Sequence, residues 1–162
     1  MTSSPSIAES AAELARGFSG QVLRPEDPGY DDARKVHNGL VDKRPILIAR
    51  CRGTADVVDA VQFASTHDLE IAVRGGGHNV AGRATVEGGV MIDLALMKGI
   101  HVDPGQRLVR AQGGTTWADL NRATQLHGLA PAPRSTATTA PRPQVLSSDA
   151  YMVSCYRLAY EQ

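Results

Sequence analysis

The stretch Ile71-Ala72-Val73-Arg74-Gly75-Gly76-Gly77-His78-Asn79 decides how the rest of this chain is read. Its first three residues are apolar and run into a turn signal, the mark of a short buried strand. Gly75, Gly76 and Gly77 then permit φ > 0 and put no Cβ atoms in the way. The N–H groups of such a turn can converge on an anion and form a nest. Arg74 adds a permanent charge with several donors, which suits phosphate, and His78 sets an imidazole at the lip. A glycine run after a strand is by itself most often only a loop. The dinucleotide spacing G-x-G-x-x-G fails, because it would need glycine at Val80, and the P-loop spacing fails for want of a following Lys-Ser or Lys-Thr.

Upstream, Pro45 to Cys51 is an apolar, strand-like run. Gly53-Thr54 comes next, with Thr54 suited to an N-cap and Asp56 to the positive helix end. A helix is predicted over 55–67, with Val57, Val58, Val61 and Ala64 inward and Phe63 at the edge of that face. Strand, helix and strand within about thirty residues make a βαβ unit. Ligands of open α/β sheets bind beyond the carboxyl ends of the strands, where the glycine turn stands. The residues after the turn read as extended, so backbone N–H groups, not a helix dipole, are expected to face the anion.

Nearer the N-terminus, residues 4–18 show one apolar helical face through Ile7, Ala11, Leu14, Ala15 and Phe18. Ser6 with Glu9 matches a capping box, and Ser4-Pro5 offers a competing start. Val22-Leu23 is extended. Asp31 and Asp32 are expected to cap a short helix bearing Ala33, Val36, His37 and Leu40. Downstream, Val90 to Leu94 is a strand, and Ile100 to Ala111 is a hairpin turning at Asp103-Pro104-Gly105. A helix is predicted over 116–127, capped by Thr116 with Asp119, facing inward through Trp117, Leu120 and Ala123 and stopped at Gly128. From Pro131 to Pro143 there are four prolines, no acidic residue and no apolar period, so a disordered or extended tail is expected.

The totals exclude several classes. The chain has 162 residues, one domain or part of a larger one. Seventeen basic and seventeen acidic residues balance, so nothing marks a nucleic-acid partner. The apolar runs are too short for a bilayer, and Glu9 and Glu13 speak against a secretory signal. Cys51 and Cys155 stand far apart with no C-x-x-C, which fits a reduced, cytoplasmic chain. The five histidines show no H-x-x-x-H, so no metal site is expected, and no G-x-S-x-G occurs.

Four signatures then occur in order. They are Arg44-Pro45 leading to Gly53-Thr54-Ala55-Asp56-Val57-Val58; Arg74 to Asn79; Val90 to Leu94 with Met97; and Ala111 to Trp117 followed by Leu126 to Ala130. Together they resemble the FAD-linked oxidases of the p-cresol methylhydroxylase / vanillyl-alcohol oxidase superfamily, in particular the berberine bridge enzyme-like branch. The resemblance implies an α+β fold, the first subdomain of the FAD-binding domain of p-cresol methylhydroxylase type, with a βαβ unit and a mixed sheet. Residues 1–43 would be a helical lead-in, 44–130 that subdomain, and 131–162 a divergent Pro/Thr-rich tail.

By position, the resemblance implies that Arg74, Gly75, Gly76, Gly77, His78, Asn79, Gly82 and Gly114 contact FAD. His78 matches the histidine that many members link to the 8-methyl carbon of the flavin; a non-covalent contact is the alternative. A neutral imidazole is a competent nucleophile near pH 7. The family's reaction moves a hydride from an alcohol- or amine-type carbon to flavin, which dioxygen reoxidises. After Ala130 the family's second glycine-rich region has no counterpart, Cys155 lacks the surroundings of a second flavin link, and no catalytic base is identified. The chain is therefore expected to represent a truncated N-terminal part, inactive alone. The other readings are a non-catalytic fragment and an interaction module completed by a partner chain.

Overall fold

A computed structural model describes residues 6–132 and 151–157. The chain forms two compact units, Met1–Met97 and Lys98–Gln162, each with its own four-stranded sheet. The first holds α1 (Ile7–Gly17), β1 (Gln21–Leu23), α2 (Tyr30–Ala33), β2 (Leu47–Arg50), α3 (Thr54–Thr66), β3 (Ile71–Arg74) and β4 (Val90–Asp93). Its strand order is β1-β2-β4-β3. β2 and β3 both run parallel to β4, and β1 closes the far edge antiparallel to β2. The expected βαβ unit is thus present, with β4 inserted between its two strands, and the sheet is mixed.

β2 and β4 are apolar without alternation because both their faces are covered. Leu47, Ala49, Val90 and Ile92 pack with Ala11, Ala60, Phe63 and Ala64. Ile48 and Met91 point the other way and pack with Leu23, Tyr30 and Ala33. Burying each Ile- or Met-sized side chain is worth roughly 1.5–3 kcal/mol. Residues 1–43 supply part of this core through Ala11, Leu23, Tyr30 and Ala33, as well as the β1 edge.

α1 starts as the sequence predicts. Ser6 Oγ accepts from Glu9 N–H at 3.3 Å, and Glu9 Oε2 accepts from Ser6 N–H at 2.8 Å. The competing start at Ser4-Pro5 lies outside the described residues. α3 differs from expectation in its inward face. Val58 and Val61 are exposed, while Asp56, Ala60, Phe63 and Ala64 are buried. The inward stripe begins at the polar Asp56, which hides it from an apolar count. Asp56 is buried because its carboxylate accepts from three N–H groups: Ser19 at 2.8 Å, Arg52 at 2.7 Å and Gly53 at 3.2 Å. Gly53, not Thr54, is the N-cap.

α2 is also shorter than expected, a single turn after Gly29, and Leu40 is fully in solvent. The chain leaves the helix because Arg34 is drawn to Asp31, Asp42 and the Lys43 carbonyl, while His37 N–H donates to the Gly77 carbonyl at 3.0 Å.

The second unit holds β5 (Ile100–Asp103), β6 (Leu108–Ala111), α4 (Trp117–Gln125), β7 (Leu129–Ala132) and β8 (Tyr151–Arg157). β5 and β6 form the expected hairpin. Thr116 caps α4 and Gly128 ends its last turn with φ 63°. Here too a polar residue completes the inward face: Leu120 and Thr124 are buried, whereas Trp117 is exposed. Thr124 Oγ1 satisfies itself on the Leu120 carbonyl at 3.0 Å.

The expectation for the tail is corrected in part. Residues 129–132 and 151–157 are strands, and β8 lies between β6 and β7, antiparallel to both. Pairing on two sides supplies the hydrogen bonds that a weak apolar period does not announce. The remainder of the tail expectation falls on 133–150 and 158–162, outside the described residues.

Candidate flavin-binding loop

β2, β3 and β4 end in register at Arg50, Arg74 and Asp93. The glycine loop leaves the sheet immediately after Arg74, at the carboxyl edge where the sequence places it. It forms bends and turns from Gly75 to Thr85, without helix. Among the described residues, none of the N–H groups of residues 75–79 donates to a backbone carbonyl. Unpaired N–H groups at a surface turn can bind an acceptor.

Gly77 turns with φ 71°, the left-handed region that disfavours a side chain. A Cβ there would stand 3.3 Å from Arg74 Nε. Gly82 repeats the device with φ 69°, and a Cβ would meet Val41 Cγ2 at 2.7 Å. Gly75 is half-buried and Gly77 buried, whereas Gly76, His78 and Asn79 are exposed. Asn79 Oδ1 accepts from Arg83 N–H at 3.1 Å, and its carbonyl accepts from Gly82 N–H at 3.1 Å, which closes the loop.

The loop rests against residues 36–43, whose local sequence carries no sign of this role. Besides the His37–Gly77 bond, Asn38 Nδ2 donates to the Val80 carbonyl at 3.0 Å. Lys43 Nζ donates to the carbonyls of Gly82 and Thr85, each at 3.4 Å. The rings of His37 and His78 lie 4.9 Å apart, tilted by 47°. No local pattern announces these contacts, because they join segments some forty residues apart.

Beneath the loop, Asp93 is fully buried and pairs with two cations. Its Oδ2 accepts from Arg50 Nε at 3.3 Å and forms an ion pair with Arg74 Nη1 at 3.2 Å, and its Oδ1 accepts from Ala95 N–H at 3.0 Å. The charge at the end of the apolar run Val90-Met91-Ile92-Asp93 was the sequence signal for this residue. Gly114 stands in the second unit, buried in the turn between β6 and α4.

Burial, helped by the carboxylates of Asp56 and Asp93, pushes the Cys51 thiol up to about 12, so it is inert near neutral pH. Among the described residues, no three His, Cys, Asp or Glu side chains come together as metal ligands. Nor, among them, is any helix long and apolar enough to cross a membrane. Free amides, a turn without Cβ atoms and an accessible imidazole fit a diphosphate joined to a ring system.

Comparison with known proteins gives the family. Residues 45–140 match the FAD binding domain family. The chain is 41% identical over 122 residues to (R)-6-hydroxynicotine oxidase of Paenarthrobacter nicotinovorans, covering 74% of this chain and 27% of that protein. The crystal structure of 6-hydroxy-D-nicotine oxidase from Arthrobacter nicotinovorans superposes with a TM-score of 0.67 at 42% identity, over 70% of this chain and 25% of that one. A berberine bridge enzyme-like protein of Physcomitrella patens shares the fold, with a TM-score of 0.67 at 18% identity over 74% of this chain and 27% of its own. This chain spans about a quarter of the length of the curated relatives it matches. It belongs to the FAD binding domain family, as the flavin-binding portion of an FAD-linked oxidoreductase of the p-cresol methylhydroxylase / vanillyl-alcohol oxidase superfamily.

Proposed function

We propose that the turn Gly75–Asn79 receives the diphosphate of FAD on its free backbone N–H groups, while Gly82, whose N–H is taken by the Asn79 carbonyl, shapes the loop. His78 is the side chain to which the flavin is attached. The observation that carries this reading is the row of unbonded N–H groups at residues 75–79, beside an exposed imidazole. When bound, FAD supplies hydride acceptance and electron transfer to dioxygen, and the protein supplies binding and orientation. The chain's own part is to hold the diphosphate, to offer an imidazole nitrogen and to fix the loop through Asn38, Val41 and Lys43.

For the whole protein we propose oxidation of an alcohol- or amine-type carbon. The similarity to (R)-6-hydroxynicotine oxidase supports an oxidase. For the 162 residues alone we propose cofactor binding without turnover, since they span about a quarter of that relative. Colour tests the reading. Purified protein should be yellow, with flavin fluorescence surviving a denaturing gel, and His78→Ala should lose that fluorescence. Colourless protein that ignores added FAD rejects the proposal; yellow protein that releases its flavin on denaturation rejects the attachment.

A further inference from the structure

Arg74 heads the glycine loop, and its sequence context suggests a cation aimed at phosphate. Its surroundings suggest another use. Nη1 is committed to Asp93 Oδ2 at 3.2 Å, and Asp93 has no exposed surface. Nε is buried and finds no hydrogen-bond partner among the described residues. It lies beneath Gly77, 3.3 Å from where a Cβ would stand. A phosphate cannot reach Nε unless the loop first lifts. The Arg74 side chain keeps 21% of its surface exposed, but Nε and Nη1 are turned inward, toward the underside of the turn and the end of β4. Arg50 reaches the same Asp93 oxygen from the other neighbouring strand, but its Nη1 leads to Gln21 Oε1 at 3.1 Å, on the β1 side of the sheet.

The geometry points to Arg74 as a positioning residue: pinned by Asp93 under Gly77, it sets the shape of the turn and makes no bond to the diphosphate. The FAD part of this inference rests on the function proposed above, while the loop-shaping part does not. Asp93 acts on the loop only through Arg74. An isolated buried carboxylate is costly, and two guanidiniums satisfy it. Arg, not Lys, is required, because a planar fork spans the gap and a point charge on a flexible stem does not.

Two measurements on the full chain test this. The first needs no cofactor. Hydrogen exchange is measured at the amides of His37, Gly82 and Arg83, which are bonded to the Gly77 carbonyl, the Asn79 carbonyl and Asn79 Oδ1. Arg74→Gln and Asp93→Asn should speed exchange at these amides relative to those of β2 and β4. Arg50→Gln should not. Equal acceleration in all three variants, or none at the loop, overturns the inference.

The second measurement is FAD titration. Arg74→Gln and Asp93→Asn should each weaken binding by roughly tenfold or more, as loss of a supporting partner does at ligand sites. The double variant should be no weaker than either single one. If Arg74→Gln weakens binding while Asp93→Asn leaves it unchanged or tighter, Arg74 is a direct phosphate ligand and the inference is wrong. Arg74→Lys keeps an ion pair with Asp93, which covers the case in which Asp93→Asn does not fold; FAD affinity at the wild-type level in that variant also overturns it. A wild-type chain that ignores FAD rejects the proposed function, and the exchange measurement still decides the role of Arg74.

Discussion

The strands β2 and β4 and the loop after β3 belong to one unit and obey different rules. In the strands, Leu47, Ile48, Ala49, Val90, Met91 and Ile92 are at most 1% exposed, and their identity comes from burial on both faces. In the loop, Gly76, His78 and Asn79 are exposed, and their identity comes from backbone shape and from the ligand the loop is to hold. The strands are held by area removed from water. A few directed bonds to residues 36–43, together with one cation below, hold the loop. Damage to the first should cost stability; damage to the second should cost binding.

The sharpest way to break this contrast is to truncate the core. Ile92→Ala should destabilise the chain by about 2–5 kcal/mol, read as the denaturation midpoint. FAD affinity of the fraction that remains folded should be unchanged. A loss of affinity larger than the loss of folded protein would show that the loop and the sheet are not separable.

Removing the link tests the loop at its imidazole. His78→Ala should abolish gel-stable flavin fluorescence without moving the melting temperature of the apo chain, because the side chain is exposed. A large drop in melting temperature would make His78 a structural residue. Gly77→Ala comes next. It places a side chain at φ 71° and against Arg74 Nε, costing on the order of 1 kcal/mol in stability. FAD titration should show a proportionally larger loss in binding.

The smallest effects belong to the helix caps, far from both regions. The Ser6 N–H and hydroxyl lower the Glu9 carboxyl below its usual 4.5, and the Thr116 N–H and hydroxyl lower Asp119 below 3.8. A carboxyl with a depressed folded-state value stabilises the fold above its unfolded value, and that contribution fades as pH falls through the folded one. Glu9→Gln should therefore melt slightly below wild type above pH 4.5, with the gap closing at lower pH. Melting curves across that range check it. A gap that persists in acid would mean that the amide fails as a cap for reasons other than charge.

The sequence was most readable where one force dominates. Pro45 to Cys51 and Val90 to Leu94 read as strands because nothing but burial shapes them. The capping boxes at Ser6 and Thr116 were legible because four consecutive residues contain the whole interaction. The inward faces of α3 and α4 were misread at Asp56 and Thr124, buried polar residues whose bonds an apolar count cannot see. For the site, the order of glycines and His78 marked the loop, but its wall was invisible. His37, Asn38, Val41 and Lys43 sit some forty residues upstream and meet the loop only after the sheet has formed. Asp93 was marked only by the charge that ends an apolar run, and it looks like the polar end of a strand until Arg50 and Arg74 are brought in register on either side. β8 depends wholly on non-local pairing, which composition does not encode.

The central claim is that the N–H groups of residues 75–79 receive the diphosphate. It is tested most directly by recording amide proton and nitrogen resonances of the labelled chain during a titration with FAD. The account predicts that the amides of Gly75, Gly76, Gly77, His78 and Asn79 shift first and furthest, and that ADP reproduces much of the change. Saturable FAD binding with those five amides unmoved would contradict it.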